Sequence, residues 1–534
     1  MVAKRYTQAN MDLLKAASGD MPKYPEQQIR SLLGLLLAMS LLLSGCQPQG
    51  AYAYPQETGP DSSASSEETP AGIQADPEGT PTSVATPFPT RPLYQPGELV
   101  DYIAQTGDSL PALAVRFNTT VSEILQANPF IPTSATTMPP GMPMRIPIYY
   151  LPFWGTPYQI IPDSLFINGP AQVDFNTQEF VAQHTGWLST YIGYVSGENR
   201  SGAQIIDVVA KNFSVSPRLL LALLEYQSGA LTQPNLSLGV EAYPLGYIDR
   251  KHQGLYMQLV WAANLLNNGY YAWRMGTLTS LDPLDGRIER PDPWQNAATV
   301  SLQNYFAQML PQEDYAKAIS QDGIASVYRS LFGDPWDPAA SPAPHIPGSL
   351  VQPEFSLPFE IRRIWAFTGG PHTGWGEGQP YAALDFAPPT LAGGCLDTGE
   401  WATAVAPGIV VRSEPAIVVL DLDGDDEERT GWTILYLHVG ARDQVAKGAV
   451  LNTGDPIGHP SCEGGRATGT HIHIARKYNG EWIPADGTLA FNLEGWIAHN
   501  GSQPYLGTLT RFSRTITACV CSDYKSHIES EWKP

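Results

Sequence analysis

The segment Gly469–Lys477, GTHIHIARK, places two histidines two residues apart and follows each with an isoleucine. In a β-strand, side chains two residues apart point to the same face of the sheet. His471 and His473 would therefore face one space, while Ile472 and Ile474 pack behind them. Two imidazoles side by side indicate a metal site, an acid–base pair, or both.

The length and charge of the chain limit the classes of protein to which it can belong. It has 534 residues, which is enough for two to four domains. Its net charge of −21 at pH 7 argues against nucleic acid as a natural partner. The 48 prolines and 49 glycines indicate many loops and linkers.

The N-terminal region has the order of an export signal. Its apolar run at 32–43, LLGLLLAMSLLL, is too short to span a bilayer comfortably, and Lys23 and Arg30 precede it. The LSGC that closes the run resembles a bacterial lipobox, which implies that Cys46 becomes a lipidated N-terminus and binds the membrane. The alternative is a buried apolar helix. A start at Met21 would leave a signal of ordinary length.

The predicted signal covers residues 1–46, and a segment of different composition follows it. Residues 47–97 are dominated by Pro, Ser, Thr, Glu and Gly. Such a composition cannot bury a core, so we expect a disordered tether that holds the folded part away from the membrane.

Residues 98–149 have the pattern of a small module built from a strand, two helices and a second strand. Ser109 can cap the first helix, and the apolar residues that follow it have helical spacing. The GDSL turn, the helices A.RFN.TV.EIL.AN and the closing PG…IP resemble a LysM module. An unrelated small α/β unit is the alternative.

The LysM resemblance implies a partner and a binding site. The family binds N-acetylglucosamine chains such as peptidoglycan in a shallow groove between the first turn and the loop after the second helix. On this chain the implied groove residues are Gly107, Asp108, Ser109, Leu110, Asn128, Pro129, Phe130 and Ile131. Pro111 and the long loop at 133–138 depart from the usual pattern.

Residues 160–345 are predicted to form a mostly α-helical domain. In SPRLLLALLEYQSGAL, Ser216 is a candidate N-cap, Pro217 a first helical residue and Gly229 a C-cap. Two further stretches, LYMQLVWAANLLNNGYYAW and EDYAKAISQDGIASVYRSLFG, also predict helices.

The predicted helix that begins after Ser216 resembles the helix of lytic transglycosylases that ends in a catalytic Glu-Ser pair. Gln227 stands at the position of that Glu here and cannot donate a proton as an acid does. A lysozyme-like domain without this catalysis is therefore favoured. Glu225, two residues earlier, remains as an alternative glycosidase acid.

The sequence pattern differs in residues 351–534, where short runs rich in β-branched residues are separated by Gly and Pro. This pattern predicts a mainly β domain. Four of these runs are strand candidates: TAVAPGIVVRSE, AIVVLDLDG, GWTILYLHVG and GTHIHIARK. The acidic DLDGDDEE predicts a solvated hairpin turn, with a calcium loop as the less favoured alternative because its order does not fit the usual pattern.

Four histidines and one aspartate of this domain form an ordered set. GGPHTGWGEGQPYAALD contains His372 and, thirteen residues on, Asp385, while ILYLHVG contains His438. With the HIH segment, the set resembles the lysostaphin-type, or LytM-like, zinc endopeptidases of peptidoglycan. Most of that family place the His four residues before the Asp, where this chain has Tyr381, but the β-lytic branch uses the longer spacing seen here.

This second resemblance implies a fold and a division of roles. The fold is the mainly antiparallel β LytM-like fold, with one Zn²⁺ held by His372, Asp385 and His473. Two imidazoles and one carboxylate leave one position for water, whose pKa falls to roughly 7. Of His438 and His471, one would act as general base and the other would donate a hydrogen bond to the oxyanion.

The five cysteines suggest a disulfide framework. If Cys46 carries lipid, Cys395, Cys462, Cys519 and Cys521 remain, and an even number outside the cytoplasm suggests two disulfides. Because Cys519 and Cys521 alternate sides of a strand, we expect each to pair with one of the other two. The alternative, a Cys-based zinc site, lacks a pair separated by two residues.

Together these parts predict an extracytoplasmic, lipid-anchored zinc endopeptidase that hydrolyses peptide bonds in peptidoglycan stems or cross-bridges. Zn²⁺ is the expected cofactor, and peptidoglycan and the membrane are the expected partners. Two alternatives stay open. One is a degenerate LytM-like domain that binds the wall and regulates other hydrolases, and the other is a glycan-strand hydrolase that acts through the helical domain.

Overall fold

The computed structural model describes residues 91–338, 343–390, 393–520 and 523–531. The predicted signal, Cys46 and most of the predicted tether lie outside the described residues. None of the helices within the described ranges is both long and apolar enough to pass through a bilayer.

The first folded segment has the predicted order of strand, helix, helix and strand. Its elements are β1 (Glu98–Ile103), α1 (Leu110–Arg116), α2 (Val121–Ala127) and β2 (Pro143–Ile148). The two strands pair antiparallel along their full length. Ser109 occupies the N-cap of α1 as predicted, but its side chain makes no capping hydrogen bond. Thr120 and Glu123 instead form a complete capping box on α2.

The middle segment is mostly helical, with one short hairpin. Its elements are α3 (Asp163–Phe166), α4 (Thr177–Ala182), α5 (Trp187–Thr190), β3 (Ile192–Val195), β4 (Glu198–Ser201), α6 (Gly202–Phe213), α7 (Pro217–Ser228), α8 (Leu238–Ala242), α9 (Leu255–Arg274), α10 (Ala297–Ala307), α11 (Gln312–Ala318) and α12 (Ile324–Phe332). The predicted bounds of α7 are confirmed, because Ser216 accepts a hydrogen bond from the Leu219 N–H and Gly229 ends the helix in the left-handed conformation.

The C-terminal segment is built from antiparallel strands. They are β5 (Ile364–Thr373), β6 (Tyr381–Ala387), β7 (Ala402–Thr403), β8 (Gly408–Glu414), β9 (Ala416–Asp421), β10 (Trp432–Val439), β11 (Val450–Leu451), β12 (Pro456–Gly458), β13 (Ile472–Tyr478), β14 (Glu481–Trp482), β15 (Asn492–Leu493), β16 (Trp496–Asn500), β17 (Gly507–Arg511), β18 (Arg514–Thr517) and β19 (His527–Glu529). The main sheet has the order β11-β8-β9-β10-β13-β6-β5-β19, with β14 paired to β13. The four predicted strands correspond to β8, β9, β10 and β13.

The two faces of the main sheet are buried against different partners. One face, with Ile434, Ile472 and Ile474, packs against the smaller sheet and loops of the same segment. The opposite face, with Leu435 and Ala475, belongs to the same apolar cluster as the helices of the middle segment. The helices and the sheet therefore share one core, which fixes the helical segment against the face that carries the histidines.

A buried charge network links the three folded segments. The Arg274 guanidinium, on α9, lies 3.2 Å from both Glu481 on β14 and Asp163 on α3. It also donates a hydrogen bond to the carbonyl of Thr106 in the first segment. Burial alone would raise the pKa of the Glu481 carboxyl, but Arg274 and the His345 ring lower it to about 2. The network places a permanent ion pair where the three segments meet.

One disulfide differs from the expected pairing. Cys395 is bonded to Cys462, with an S–S distance of 2.08 Å and a sequence separation of 67. The expectation that each would pair with Cys519 or Cys521 is wrong. Cys395 and Cys462 lie in two loops that meet in space, since the Thr470 N–H donates to the carbonyl of Gly394. Cys519 is itself disulfide-bonded, and Cys521 lies outside the described residues.

Replacing Glu481 by Ala should destabilise the protein strongly, because Arg274 would stay buried without its countercharge. We expect a loss of about 3–5 kcal/mol in the free energy of unfolding, measured by denaturant titration. Glu400→Ala is the matched control: its partner Arg363 is half exposed, and such pairs contribute about 0–1 kcal/mol. Equal denaturation midpoints for the two variants would show that the network does not stabilise the fold.

Candidate metal centre

Three neighbouring strands carry the predicted metal ligands. His473 on β13 is directly opposite Asp385 on β6, and β6 pairs on its other side with β5, which carries His372. All three side chains lie on the sheet face that the helical segment partly covers. The 3.0 Å distance between Nε2 of His372 and Nδ1 of His473 across β6 follows from this pairing.

Two glycines explain how His372 reaches this position. The pairing of β5 with β6 is irregular between Phe367 and His372. A Cβ atom on Gly369 would lie 2.4 Å from Oδ2 of Asp385, and one on Gly370 would lie 2.6 Å from the Leu506 carbonyl carbon. Only residues without a side chain fit here, which accounts for the GG that precedes His372.

The ligand atoms of the three residues converge on one point. Nε2 of His372 lies 3.0 Å from Nδ1 of His473, and each nitrogen lies 3.3 Å from Oδ1 of Asp385. The residues are 1%, 6% and 6% exposed. Among the described residues they form one of two groups whose ligand atoms all lie within 4.8 Å of one another.

Hydrogen bonds to carbonyl groups fix the tautomers of the two rings. His372 donates from Nδ1 to the carbonyl of Gly370 at 2.8 Å, and His473 donates from Nε2 to the carbonyl of Gly374 at 3.2 Å. In neutral rings, Nε2 of His372 and Nδ1 of His473 are therefore lone pairs. Oδ1 of Asp385 is buried and has no hydrogen-bond donor. Three acceptors without a proton between them fit a cation, and two imidazoles with one carboxylate suit Zn²⁺.

The pKa shifts of two of these residues favour a neutral His473 ring and a charged Asp385 carboxylate. Burial lowers the pKa of the His473 imidazole and so favours the neutral ring. Burial alone would raise the pKa of the Asp385 carboxyl, but the surrounding histidines, His372 first among them, hold it well below its ordinary value. A charged carboxylate and neutral imidazoles are the forms that bind a metal.

His438 lies beside the three ligands at an irregular point of β10. The register with β9 shifts there, and His438 adopts a φ of 66°. Its Nδ1 donates to the carbonyl of Glu463 at 2.6 Å, which leaves Nε2 as an acceptor. Burial, followed by the nearby His471 ring, lowers the pKa of His438 to about 4, so the ring is neutral at neutral pH.

His471 completes the group of five. Its Nδ1 donates to the carbonyl of Gly469 at 2.8 Å, and its Nε2 lies 3.8 Å from Oδ1 of Asp385. The centroids of the His438 and His471 rings are 4.4 Å apart. The structure thus brings all five predicted residues together, with His438 and His471 as a pair beside the three-ligand cluster. Their roles stay a prediction.

One residue of the site was missed from the sequence. The Tyr505 ring, in the loop between β16 and β17, stacks on the His372 ring with a centroid distance of 4.1 Å and an angle of 22° between the planes. The side chain is half exposed at the edge of the site. The surrounding GSQPYLG has no periodicity or spacing that could have assigned it there.

The predicted glycan-binding residues of the first segment are divided between its core and its surface. Asp108 is buried, where it pairs with Arg116 at 2.7 Å and accepts a hydrogen bond from Tyr102. The buried members are Asp108, Leu110, Asn128 and Ile131, while Pro129 and Phe130 are exposed and Gly107 and Ser109 are intermediate. Gly107 lies against the Arg274 side chain, so that end of the predicted groove is an internal contact.

Two other candidate residues have local structural partners. The Glu225 carboxylate accepts hydrogen bonds from the Leu231 N–H and the Thr232 hydroxyl, which stabilises the turn after α7. In the acidic turn between β9 and β10, the buried Asp421 carboxylate accepts hydrogen bonds from the N–H groups of Asp423, Gly424 and Asp426. Both carboxylates therefore contribute to the folding of a turn.

Two family models match the chain. A LysM domain model matches residues 102–147, and a model described as the N-terminal domain of LasA matches residues 159–345. The second match covers most of the helical segment. The lysozyme likeness expected for that segment stays a prediction.

Curated relatives are proteases. The chain is 23% identical to Protease LasA of Pseudomonas aeruginosa over 344 residues, which are 61% of this chain and 75% of that protein. It is 29% identical to the beta-lytic metalloendopeptidase of Achromobacter lyticus over 179 residues, 32% of this chain and 43% of that protein. The corresponding enzyme of Lysobacter enzymogenes is 28% identical over 177 residues, 32% of this chain and 90% of that protein.

Among solved structures, the M23 metalloprotease pseudoalterin aligns with a TM-score of 0.27 and 22% identity, over 32% of this chain and 96% of that chain. The two family models and the curated protease relatives together identify the chain as a LysM-containing peptidase of the LytM/LasA type, and thus as a metalloendopeptidase.

Proposed function

We propose that this protein is a zinc endopeptidase that hydrolyses peptide bonds in the stems or cross-bridges of peptidoglycan. One observation carries the proposal: three buried acceptor atoms, on His372, Asp385 and His473, meet with no donor between them. Two nitrogens and one oxygen from the protein leave the fourth tetrahedral position of a zinc ion free, as in catalytic sites.

The residues around the ligands supply the remaining chemistry. Zinc held there would acidify a water molecule and polarise the scissile carbonyl. His438 and His471 each donate their Nδ1 hydrogen to a backbone carbonyl, so Nε2 is the atom of each ring that is left to act. We assign proton acceptance at Nε2 from the attacking water to one ring, while the other would donate a hydrogen bond to the tetrahedral oxyanion once its own Nε2 carries a proton.

We further propose that the chain is divided into an anchor, a tether, a glycan-binding module and two domains, and that the first three bring the peptidase site to the cell wall. Residues 1–46 would be an export signal that ends in the lipidated Cys46, and 47–97 a tether outside the cytoplasm. Residues 98–149 would bind glycan, with 160–345 and 351–534 as helical and peptidase domains. Tethering would raise the effective concentration of the enzyme at the polymer without new contacts. The exposed Pro129 and Phe130 are the residues of the predicted groove most open to a glycan.

A degenerate, regulatory member of the family would have lost part of its site. In this chain all five side chains are present and lie close together, and the pKa of Asp385 is held below its ordinary value. Tyr381, four residues before Asp385, breaks only the short form of the motif, and His372 lies close enough to Asp385 and His473 to serve as the ligand in its place. These observations favour the enzyme over the regulator.

Purified peptidoglycan incubated with the protein should release peptides with new amino and carboxyl ends, and a zinc chelator should abolish the release. Mass spectrometry of the soluble fragments measures both. New reducing or anhydro-sugar ends, with intact peptides, would instead indicate a glycan-strand hydrolase. Peptide release that persists after removal of the metal would refute the zinc mechanism.

His473→Ala should abolish zinc binding, because it removes one of the three converging ligand atoms. Zinc content per chain, measured by elemental analysis of the purified variant, checks this. The matched control is His471→Ala, two residues away on the same face, which should retain stoichiometric zinc because His471 is outside the ligand cluster. Stoichiometric zinc in the His473 variant would mean that the ligand set is wrong.

His438→Ala should keep zinc and lose about 10²–10⁴ in kcat, as is usual when a positioned acid–base or oxyanion group is removed. Peptide release under saturating substrate measures kcat, and elemental analysis confirms the metal. His499→Ala is the control, since His499 hydrogen-bonds Thr510 on a different sheet. An unchanged kcat in the His438 variant would exclude it from the reaction.

A further inference from the structure

The loop between β5 and β6, residues 374–380, lies directly against the metal site. It begins at Gly374, whose carbonyl accepts the hydrogen from Nε2 of His473 at 3.2 Å. This hydrogen bond decides which nitrogen of His473 faces Asp385. Groups that orient a ligating histidine in this way usually affect metal affinity almost as strongly as the ligands themselves. The position of the loop therefore matters to the metal site.

Two asparagines of the helical segment hold this loop. The Glu377 N–H donates to Oδ1 of Asn264 at 2.8 Å, and the Gln379 N–H donates to Oδ1 of Asn268 at 2.7 Å. The asparagines are four residues apart on α9, so they lie on the same side of the helix. They accept hydrogen bonds from alternate backbone groups of the loop.

Two glycines of the loop allow this close approach. Gly376 and Gly378 have φ values of 83° and 86°, which favour glycine. A Cβ atom on Gly376 would lie 2.3 Å from Oδ1 of Asn264, and one on Gly378 would lie 2.1 Å from Oδ1 of Asn268. The GWGEG sequence of the loop is thus matched to the asparagine side of α9.

Helix α9 also contacts β14, the short strand that follows β13 in the chain. One turn beyond Asn268, the Tyr271 hydroxyl accepts a hydrogen bond from the N–H of Trp482, at β14. The Trp482 ring in turn lies against Gly374, with 3.1 Å between its Cε3 atom and the position of a Cβ atom on that glycine. Helix α9 therefore supports the loop directly through its two asparagines and indirectly through the contact of Tyr271 with Trp482.

We propose that Asn264 and Asn268 are positioning residues of the metal centre. They hold the loop so that the Gly374 carbonyl fixes the His473 ring with Nδ1 toward the metal. The helical segment is on this view a structural part of the peptidase site, in addition to any contact it makes with the wall. This inference rests on the proposed zinc site.

The test uses the full-length protein and zinc itself, with affinity measured by competition against a chromogenic chelator. The double variant Asn264→Ala/Asn268→Ala should bind zinc about 10- to 100-fold more weakly than the wild type, the usual effect of losing groups that orient a ligand. Asn268→Asp keeps an acceptor oxygen, so it should bind zinc more tightly than Asn268→Ala. Thermal denaturation verifies that each variant is folded.

Asn212→Ala is the matched control. Asn212 is also in the helical segment, and its Oδ1 accepts a hydrogen bond from Arg412 of the sheet at 2.8 Å rather than from a backbone N–H of the loop. Its zinc affinity should equal that of the wild type. Unchanged affinity in the double variant, or an equal loss in the Asn212 variant, would overturn the inference while leaving the zinc site intact. A wild type that binds no zinc would overturn the proposed function as well.

Discussion

The metal centre depends on the buried carboxylate of Asp385, whose Oδ1 atom has no hydrogen-bond donor. Oδ1 of Asp385 faces two imidazole nitrogens at 3.3 Å, and both rings have already donated their hydrogens to backbone carbonyls. Three buried acceptors repel one another unless a cation lies between them. The three paired strands and the glycines before His372 hold these acceptors together. The repulsion between the acceptors is the physical reason to expect a metal.

Helix α9 connects this chemistry to the rest of the chain. Arg274, at its C-terminal end, pairs with Glu481 of the sheet edge and donates to the carbonyl of Thr106 in the LysM segment. Asn264 and Asn268, about three and about two turns earlier, reach the loop beside His473. One rigid element thus contacts the module expected to bind glycan and the site expected to cleave peptide. This arrangement fixes the orientation of the two relative to each other.

Local patterns in the sequence predicted the elements and the site, but not the way in which the segments pack. The period of two in the HIH segment placed His471 and His473 on one face, and the caps at Ser216 and Gly229 gave the bounds of α7. The pairing of Cys395 with Cys462 was mispredicted because it depends on two loops that meet only in the folded chain. The shared core of helices and sheet does have a signal in the sequence. The continuous apolar run AIVVL of β9 indicates a strand that is buried on both faces.

Anomalous diffraction at the zinc absorption edge, from crystals of the full-length protein, tests the metal centre most directly. One peak is expected about 2.0–2.2 Å from Nε2 of His372, Nδ1 of His473 and an oxygen of Asp385, the usual zinc–ligand distances. His438 and His471 should lie outside bonding distance of it. A zinc-loaded crystal with no peak at these three atoms, or with His438 or His471 bound directly to the metal, would contradict this assignment.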